Sequence, residues 1–135
     1  MEHYTEFLPI SRADMEARGW DQLDFVVVGG DAYVDHPSFG TAIISRLLEA
    51  EGYKVGVLAQ PRYTDCEDFK RFGKPKYGFF IGGGNVDSMV SHYSVAKIPR
   101  AEDEYSPGGK GGARPDRSAT VYTRLAKQAY PDLPV

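Results

Sequence analysis

Phe25-Val26-Val27-Val28 is an unbroken apolar, mostly β-branched run that stops at Gly29-Gly30, and no other feature of the chain narrows its fold so far. A run of this kind, with no polar alternation, suits a strand buried on both faces. Pro37 fits the first turn of a following helix, where its missing N–H is no loss. That helix spans about Ser38 to Glu51, with Ile43, Ile44, Leu47 and Leu48 on one apolar stripe at helical spacing and Gly52 closing it. Tyr53 to Ala59 reads as a second strand. Strand, helix and strand within about 35 residues predict a right-handed βαβ crossover.

The flanking sequence extends this pattern. Ser11 predicts an N-cap, with Asp14 in the first turn, for a helix from Arg12 to Arg18 that Gly19 ends. Asp65 predicts the cap of a short helix through Phe72, and Tyr77-Gly78-Phe79-Phe80-Ile81 predicts a third strand running into Gly82-Gly83-Gly84-Asn85. Asn85 suits the N-cap of a helix through about His92. From Lys97 to Arg117 periodicity fails, and so long a stretch rich in glycine and proline is expected to be either functional, as a segment that orders against a partner, or disordered, rather than a plain spacer. Helical spacing returns from Ser118, where Val121, Tyr122, Leu125 and Ala129 form a last apolar stripe ended by Pro131. Leu133-Pro134-Val135 predicts the start of a further strand. The fold class is α/β: a Rossmann-like or flavodoxin-like three-layer parallel sheet. Residues 1–135 are expected to form one domain, cut short before its last strand or strands.

A length of 135 residues supports one hydrophobic core, and 41% hydrophobic with 26% charged residues is ordinary for a folded chain. A net charge of −3 gives no electrostatic reason to expect nucleic acid or an anionic membrane as partner. The single cysteine, Cys66, cannot form an internal disulfide, and its neighbours Asp65, Glu67 and Asp68 disfavour the thiolate. The first six residues lack the basic and apolar stretches of a signal peptide, and no apolar run approaches the roughly 20 residues that cross a bilayer. The cytoplasm is the expected location.

In an open parallel sheet, ligands bind beyond the carboxyl ends of the strands where strand order reverses. With a 2-1-3 order, two Gly-rich segments face each other there, Gly29 to His36 and Gly82 to Asp87. Neither matches a dinucleotide or Walker loop, so the glycines are expected mainly to turn the backbone and bring helices close to the sheet. The candidate ligand-binding or docking face comprises Asp31, Tyr33, Asp35, His36, Asn85, Asp87 and His92, joined by Lys110, Arg114 and Arg117 of the glycine-rich segment. No metal site is assigned, because H-E-x-x-H and paired-cysteine spacings are both missing. Nor is a catalytic residue: Asp35 and His36 would need a nucleophile, and Ser38 has no G-x-S-x-G elbow around it.

Several longer segments carry a resemblance. They are Phe7-Leu8-Pro9-Ile10-Ser11-Arg12, Arg18-Gly19-Trp20-Asp21, Gly30-Asp31-Ala32-Tyr33-Val34-Asp35-His36-Pro37-Ser38-Phe39-Gly40 and Ala59-Gln60-Pro61. Further on come Gly84-Asn85-Val86-Asp87-Ser88-Met89-Val90-Ser91-His92-Tyr93, Tyr105-Ser106-Pro107-Gly108-Gly109-Lys110 and Arg114-Pro115-Asp116-Arg117. In this order they resemble the N-terminal region of YgiQ-type radical S-adenosylmethionine proteins. The resemblance implies a larger protein whose later part, a partial β/α barrel, carries a C-x-x-x-C-x-x-C motif. Three thiolates there would hold a 4Fe-4S iron–sulfur cluster with one iron open to S-adenosylmethionine. It also implies that this chain docks on that catalytic domain of the same polypeptide and shapes its substrate side, toward a small-molecule substrate. This chain itself is not expected to be catalytic.

Related radical enzymes often carry a cobalamin-binding domain of this α/β shape, with a D-x-H-x-x-G motif for the axial ligand. Here Asp35 directly precedes His36 and Gly40 follows four residues later, so His36 does not match the cobalt-ligand pattern. An autonomous module binding cobalamin, without a protein ligand, or a nucleotide is the alternative expectation.

Overall fold

In the computed structural model of the chain, the described residues are 7–33, 39–84, 93–99, 101–102, 106–109, 111–113 and 115–135. The regular elements among them are α1 (Arg12–Ala17), β1 (Phe25–Gly29), α2 (Gly40–Ala50), β2 (Val55–Ala59), β3 (Gly78–Ile81) and α3 (Ser118–Ala129). The three strands are all parallel, in the order β2-β1-β3, so the expected reversal of strand order lies between β1 and β3. Phe25 pairs with Val55 on one side and Gly78 on the other, which fixes the register of the sheet.

Alternation along the strands divides the sheet into two unlike faces. Val26, Val28, Leu58 and Phe79 point into the main core, where Met15, Leu23, Phe69, Phe72, Tyr122, Leu125 and Leu133 close over them. Val27, Val55 and Val57 point the other way, toward α2.

Ser11 caps α1 as expected: the Asp14 N–H donates to its Oγ at 3.3 Å, and the Asp14 carboxylate accepts from the Ile10 N–H at 3.1 Å. Ser11→Ala is expected to cost about 1 kcal/mol, read as a lowered denaturation midpoint with an unchanged slope. β2 starts at Val55 and not at Tyr53, because the Tyr53 N–H still closes α2 on the Leu48 carbonyl. The helix expected from Asp65 to Phe72 is only a 3-10 turn, Asp68–Lys70. The Asp65 carboxylate accepts from the Glu67 N–H at 3.0 Å and the Asp68 carboxylate from the Arg62 N–H at 2.7 Å. These short-range bonds compete with helical hydrogen bonding.

Both sheet edges are partly covered by the chain ends. The Val57 N–H donates to the Pro9 carbonyl at 2.8 Å beside β2, and the Phe79 N–H donates to the Pro134 carbonyl at 3.1 Å beside β3. The second contact puts Leu133-Pro134-Val135 where a fourth strand would begin. The expectations for Pro37 and Ser38, and for a helix from Asn85 to His92, fall outside the described residues.

α2 departs from its expected packing. Its sheet side carries Ala42 and Ser45, both buried, while Ile43, Ile44 and Leu47 of the apolar stripe are exposed. Small residues suit a close approach of the helix to the sheet; Ile43, Ile44 and Leu47 are left on the outside, and Leu48 is half-buried.

Candidate functional site

The carboxyl ends of β1 and β3 open into a crevice of about 250 Å³. Gly29, Asp31 and Tyr33 line one side, Gly82, Gly83 and Gly84 the other, and Phe39, Gly40 and Thr41 stand at the start of α2. Val27, Val57 and Phe80 contribute apolar surface to it. This is the switch point at which open parallel sheets hold ligands.

Local sequence explains the crevice walls. A Cβ at Gly30 would run into the Gly83 carbonyl, so glycine there lets the two loops pack against each other. A Cβ at Gly29 would press on Thr41 Oγ1, so that glycine admits the start of α2. Close packing therefore accounts for both glycines without any ligand. Intrahelical bonding in α2 begins with the Ile43 N–H on the Phe39 carbonyl at 3.1 Å, so the N–H groups of Gly40, Thr41 and Ala42 have no acceptor within the helix. The N-cap, Phe39, offers no side-chain acceptor. The positive end of the helix dipole thus faces the crevice mouth.

Of the ten candidate residues, three lie within the described part. Asp31 is buried at the end of β1 and lines the crevice. Tyr33 lines it too, but its hydroxyl accepts the Leu8 N–H at 3.0 Å and its ring meets Phe7 edge-on at 6.3 Å. Tyr33 therefore fastens the N-terminal segment to the crevice wall. Arg117 is exposed and occupies the N-cap of α3 in a left-handed conformation, φ 51°. Asp35, His36, Asn85, Asp87, His92, Lys110 and Arg114 lie outside the described residues.

The structure adds residues that the candidate face did not include. Ser118, buried at the start of α3, donates from Oγ to the Gly83 carbonyl at 3.3 Å. Gln60, which follows β2 as Gly30 follows β1, donates from Nε2 to Ser106 Oγ at 2.6 Å, and its N–H reaches the Gly29 carbonyl at 2.9 Å. Gln60 adopts a positive φ of 42°, so its backbone is fixed in an uncommon conformation beside the crevice. The signal for it was its place one residue past a strand end. The glycine-rich segment is tied down elsewhere by Tyr63 Oη on the Gly112 carbonyl at 3.1 Å and Tyr93 Oη on Asp116 Oδ2 at 2.9 Å. The hydrogen bond to Asp116, with that carboxylate's charge, holds the exposed Tyr93 phenol above its ordinary range.

Chemically, the described rim supplies backbone N–H groups, hydroxyls and the Asp31 carboxylate. Ser106 and Ser118 are bonded to Gln60 and to Gly83, and no histidine lies among the described residues. These groups can hydrogen-bond a polar ligand. Among the described residues no group of three or more His, Cys, Asp and Glu side chains converges to hold a metal ion, and no helix is long and apolar enough to cross a membrane.

Residues 7–135 match the protein family described as Radical SAM N-terminal. A UPF0313 protein of Clostridium botulinum (strain Loch Maree / Type A3) is 59% identical over 130 residues, covering 96% of this chain and 20% of that protein. A UPF0313 protein of Clostridium perfringens (strain SM101 / Type A) is 54% identical over 129 residues, with the same two coverages, 96% and 20%. The chain thus spans about 20% of the length of the curated relatives it matches. No solved structure matches it.

Proposed function

This chain belongs to the radical SAM N-terminal family, and from that premise we propose that it is an accessory domain that docks on the catalytic part of its own polypeptide and shapes the substrate side. The observation that carries this reading is a mismatch of scale: 96% of the chain aligns, yet it amounts to 20% of the relative. The donor set agrees with it. A 4Fe-4S cluster open to S-adenosylmethionine needs three thiolates, and this chain has one cysteine, Cys66, beside Asp65, Glu67 and Asp68. Its residues do not fit that cluster. Iron–sulfur and S-adenosylmethionine chemistry is therefore assigned to the rest of a cytoplasmic radical enzyme of the YgiQ type, acting on a small molecule.

Within this reading, residues 1–135 act as one Rossmann-like domain whose docking face is the carboxyl edge of the sheet. The proposed contact residues are Asp31, Tyr33 and Arg117 of the described part, together with Asp35, His36, Asn85, Asp87, His92, Lys110 and Arg114 from the sequence reading. Loops held by a rigid scaffold are the usual place for such contacts.

The test uses the full-length protein with Thr41→p-benzoylphenylalanine at the crevice mouth. Illumination is expected to join position 41 to a segment downstream of residue 135 within the same chain. In the same protein, Cys66→Ala is expected to leave iron content and reductive cleavage of S-adenosylmethionine unchanged.

The crevice itself favours a second reading, a small-molecule module. Its volume of about 250 Å³ is below the range of about 300–1,000 Å³ usual for ligand sites, which sets it behind docking. A cobalamin absorption band, or a nucleotide released from the purified protein and identified by mass spectrometry, together with no crosslink from position 41, would reverse that order.

A further inference from the structure

We propose that the outer flank of α2 and the open half of the sheet beside it form one docking groove, filled by an apolar helix of the same polypeptide from beyond residue 135. The inference rests on the reading above, that the rest of the polypeptide packs on this domain, and it extends from the crevice, with which it shares Ile44 and Phe80, onto the outer flank of α2 and the sheet beside it.

One wall of the groove is α2. Leu47 is 62% exposed and Ile44 46%, while Ala42 and Ser45 take the sheet side. An amphipathic helix that turns its wide apolar residues outward on a folded domain needs a second layer to cover them.

The floor is the sheet. A parallel sheet ordinarily has both faces covered. Here the face opposite the main core carries an aromatic cluster centred on Phe25, with Phe80 at 4.9 Å, Tyr53 at 5.3 Å and Tyr77 at 5.4 Å between ring centres. Phe80 is still 41% exposed and Tyr77 44%. Wall and floor are continuous. Ile44 and Phe80 line the same crevice at one end, and Tyr53, three residues past α2, meets Phe25 at the other.

The direction of the chain identifies the occupant. The Pro134 carbonyl accepts the Phe79 N–H, so the polypeptide leaves along β3, and Val135 shares a surface hollow with Phe25, Tyr77 and Phe80. The relatives hold about 80% of their length outside the matched region, ample to supply the covering helix. A tethered segment competes at an effective concentration in the millimolar range, well above that of a second copy of the protein.

The experiment uses full-length protein, mixed from unlabelled and nitrogen-15-labelled preparations, carrying Leu47→p-benzoylphenylalanine or Phe80→p-benzoylphenylalanine. Both probes are expected to crosslink, within one chain, to a single segment beyond residue 135, whereas a probe at exposed Thr123 on α3 serves as background. Crosslinks between labelled and unlabelled chains would replace the proposed occupant with a second copy and overturn the inference. So would crosslinks confined to residues 1–135, or yields at background from both probes. If position 41 alone reaches the downstream segment, the docking reading stands and the groove fails; if positions 41, 47 and 80 all stay at background, both fail.

Discussion

Phe69→Ala is expected to lower the stability of the sheet by about 3–5 kcal/mol, among the largest effects any single truncation here should have. Phe69 is 1% exposed, on the 3-10 turn Asp68–Lys70 that replaces a crossover helix between β2 and β3. Its ring lies 6.2 Å from Phe79 of β3 and 6.0 Å from Tyr122 of α3. One aromatic side chain thus does much of what a full helix face does elsewhere in such folds, joining the crossover, the sheet and the last helix. Removing it leaves a cavity that cannot collapse without moving two elements. Native-state hydrogen exchange of the Val26, Val28 and Leu58 amides in the full-length protein should accelerate by about 100-fold or more. Val95→Ala, at a fully exposed site, should leave the same amides unchanged. An acceleration below about tenfold for Phe69→Ala would mean that the turn is held by its hydrogen bonds and not by its aromatic anchor.

That turn also marks where sequence patterns stop being informative. The sheet was legible because its signals are local. Val26-Val27-Val28 stops at Gly29, Val55 to Leu58 follows the Gly52 that closes α2, and Phe79-Phe80-Ile81 lies between Gly78 and Gly82; the 2-1-3 order entered only as a condition, and the structure supplies it. Ser11 and Gly19 bound α1 for equally local reasons. The region from Asp65 to Phe72 failed because Asp65 and Asp68 bond to nearby backbone N–H groups, a choice that helical periodicity does not reveal. The apolar stripe Ile43, Ile44 and Leu47 was recognised, but its direction was not. A stripe states that a face needs covering and does not state by what. Here the close approach of Ala42 and Ser45 gave the sheet the opposite side.

The candidate site was legible at the level of place. Gly29-Gly30 and Gly82-Gly83-Gly84 do meet across the strand ends, as the topology required. The roles were less so. Tyr33 has the composition of a ligand contact, yet it is engaged with the Leu8 N–H and the Phe7 ring. Ser118 carries no motif and Gln60 entered only through the Ala59-Gln60-Pro61 segment of the resemblance; what each does comes from partners 35 and 46 residues away in sequence. Long-range hydrogen bonds of this sort leave no periodic trace.

Arg18→Ala is expected to cost about 2–3 kcal/mol and to loosen α2 more than the strands. The Arg18 side chain is only 9% exposed. One guanidinium nitrogen donates to Glu49 Oε2 at 2.9 Å, another to the Phe7 carbonyl at 2.7 Å, and the group lies 5.0 Å from the centre of the Trp20 ring. One residue at the end of α1 therefore ties the N-terminal segment to the last turn of α2. Truncation gives the exposed Phe7 carbonyl back to water and weakens the hold on Glu49, which among the described residues keeps Arg46 at 2.8 Å. Because Glu49 retains that partner and some contact with water, the loss should be smaller than for a wholly buried pair. Arg18→Lys keeps the charge but lacks the planar fork that serves two acceptors and the ring at once, so it should recover less than half of the loss. In a double-mutant cycle with Glu49→Gln, a coupling of about 1–2 kcal/mol is expected. Exchange of the amides from Ile43 to Glu51 should rise more than that of Val26 to Val28, because the Arg18–Glu49 pair acts on the end of α2 and not on the ladder. Equal acceleration of both sets, or full rescue by lysine, would show that Arg18 contributes bulk charge rather than directional contacts. The orientation that turns Ile44 and Leu47 outward would then have to be held by Ala42 and Ser45 against the sheet alone.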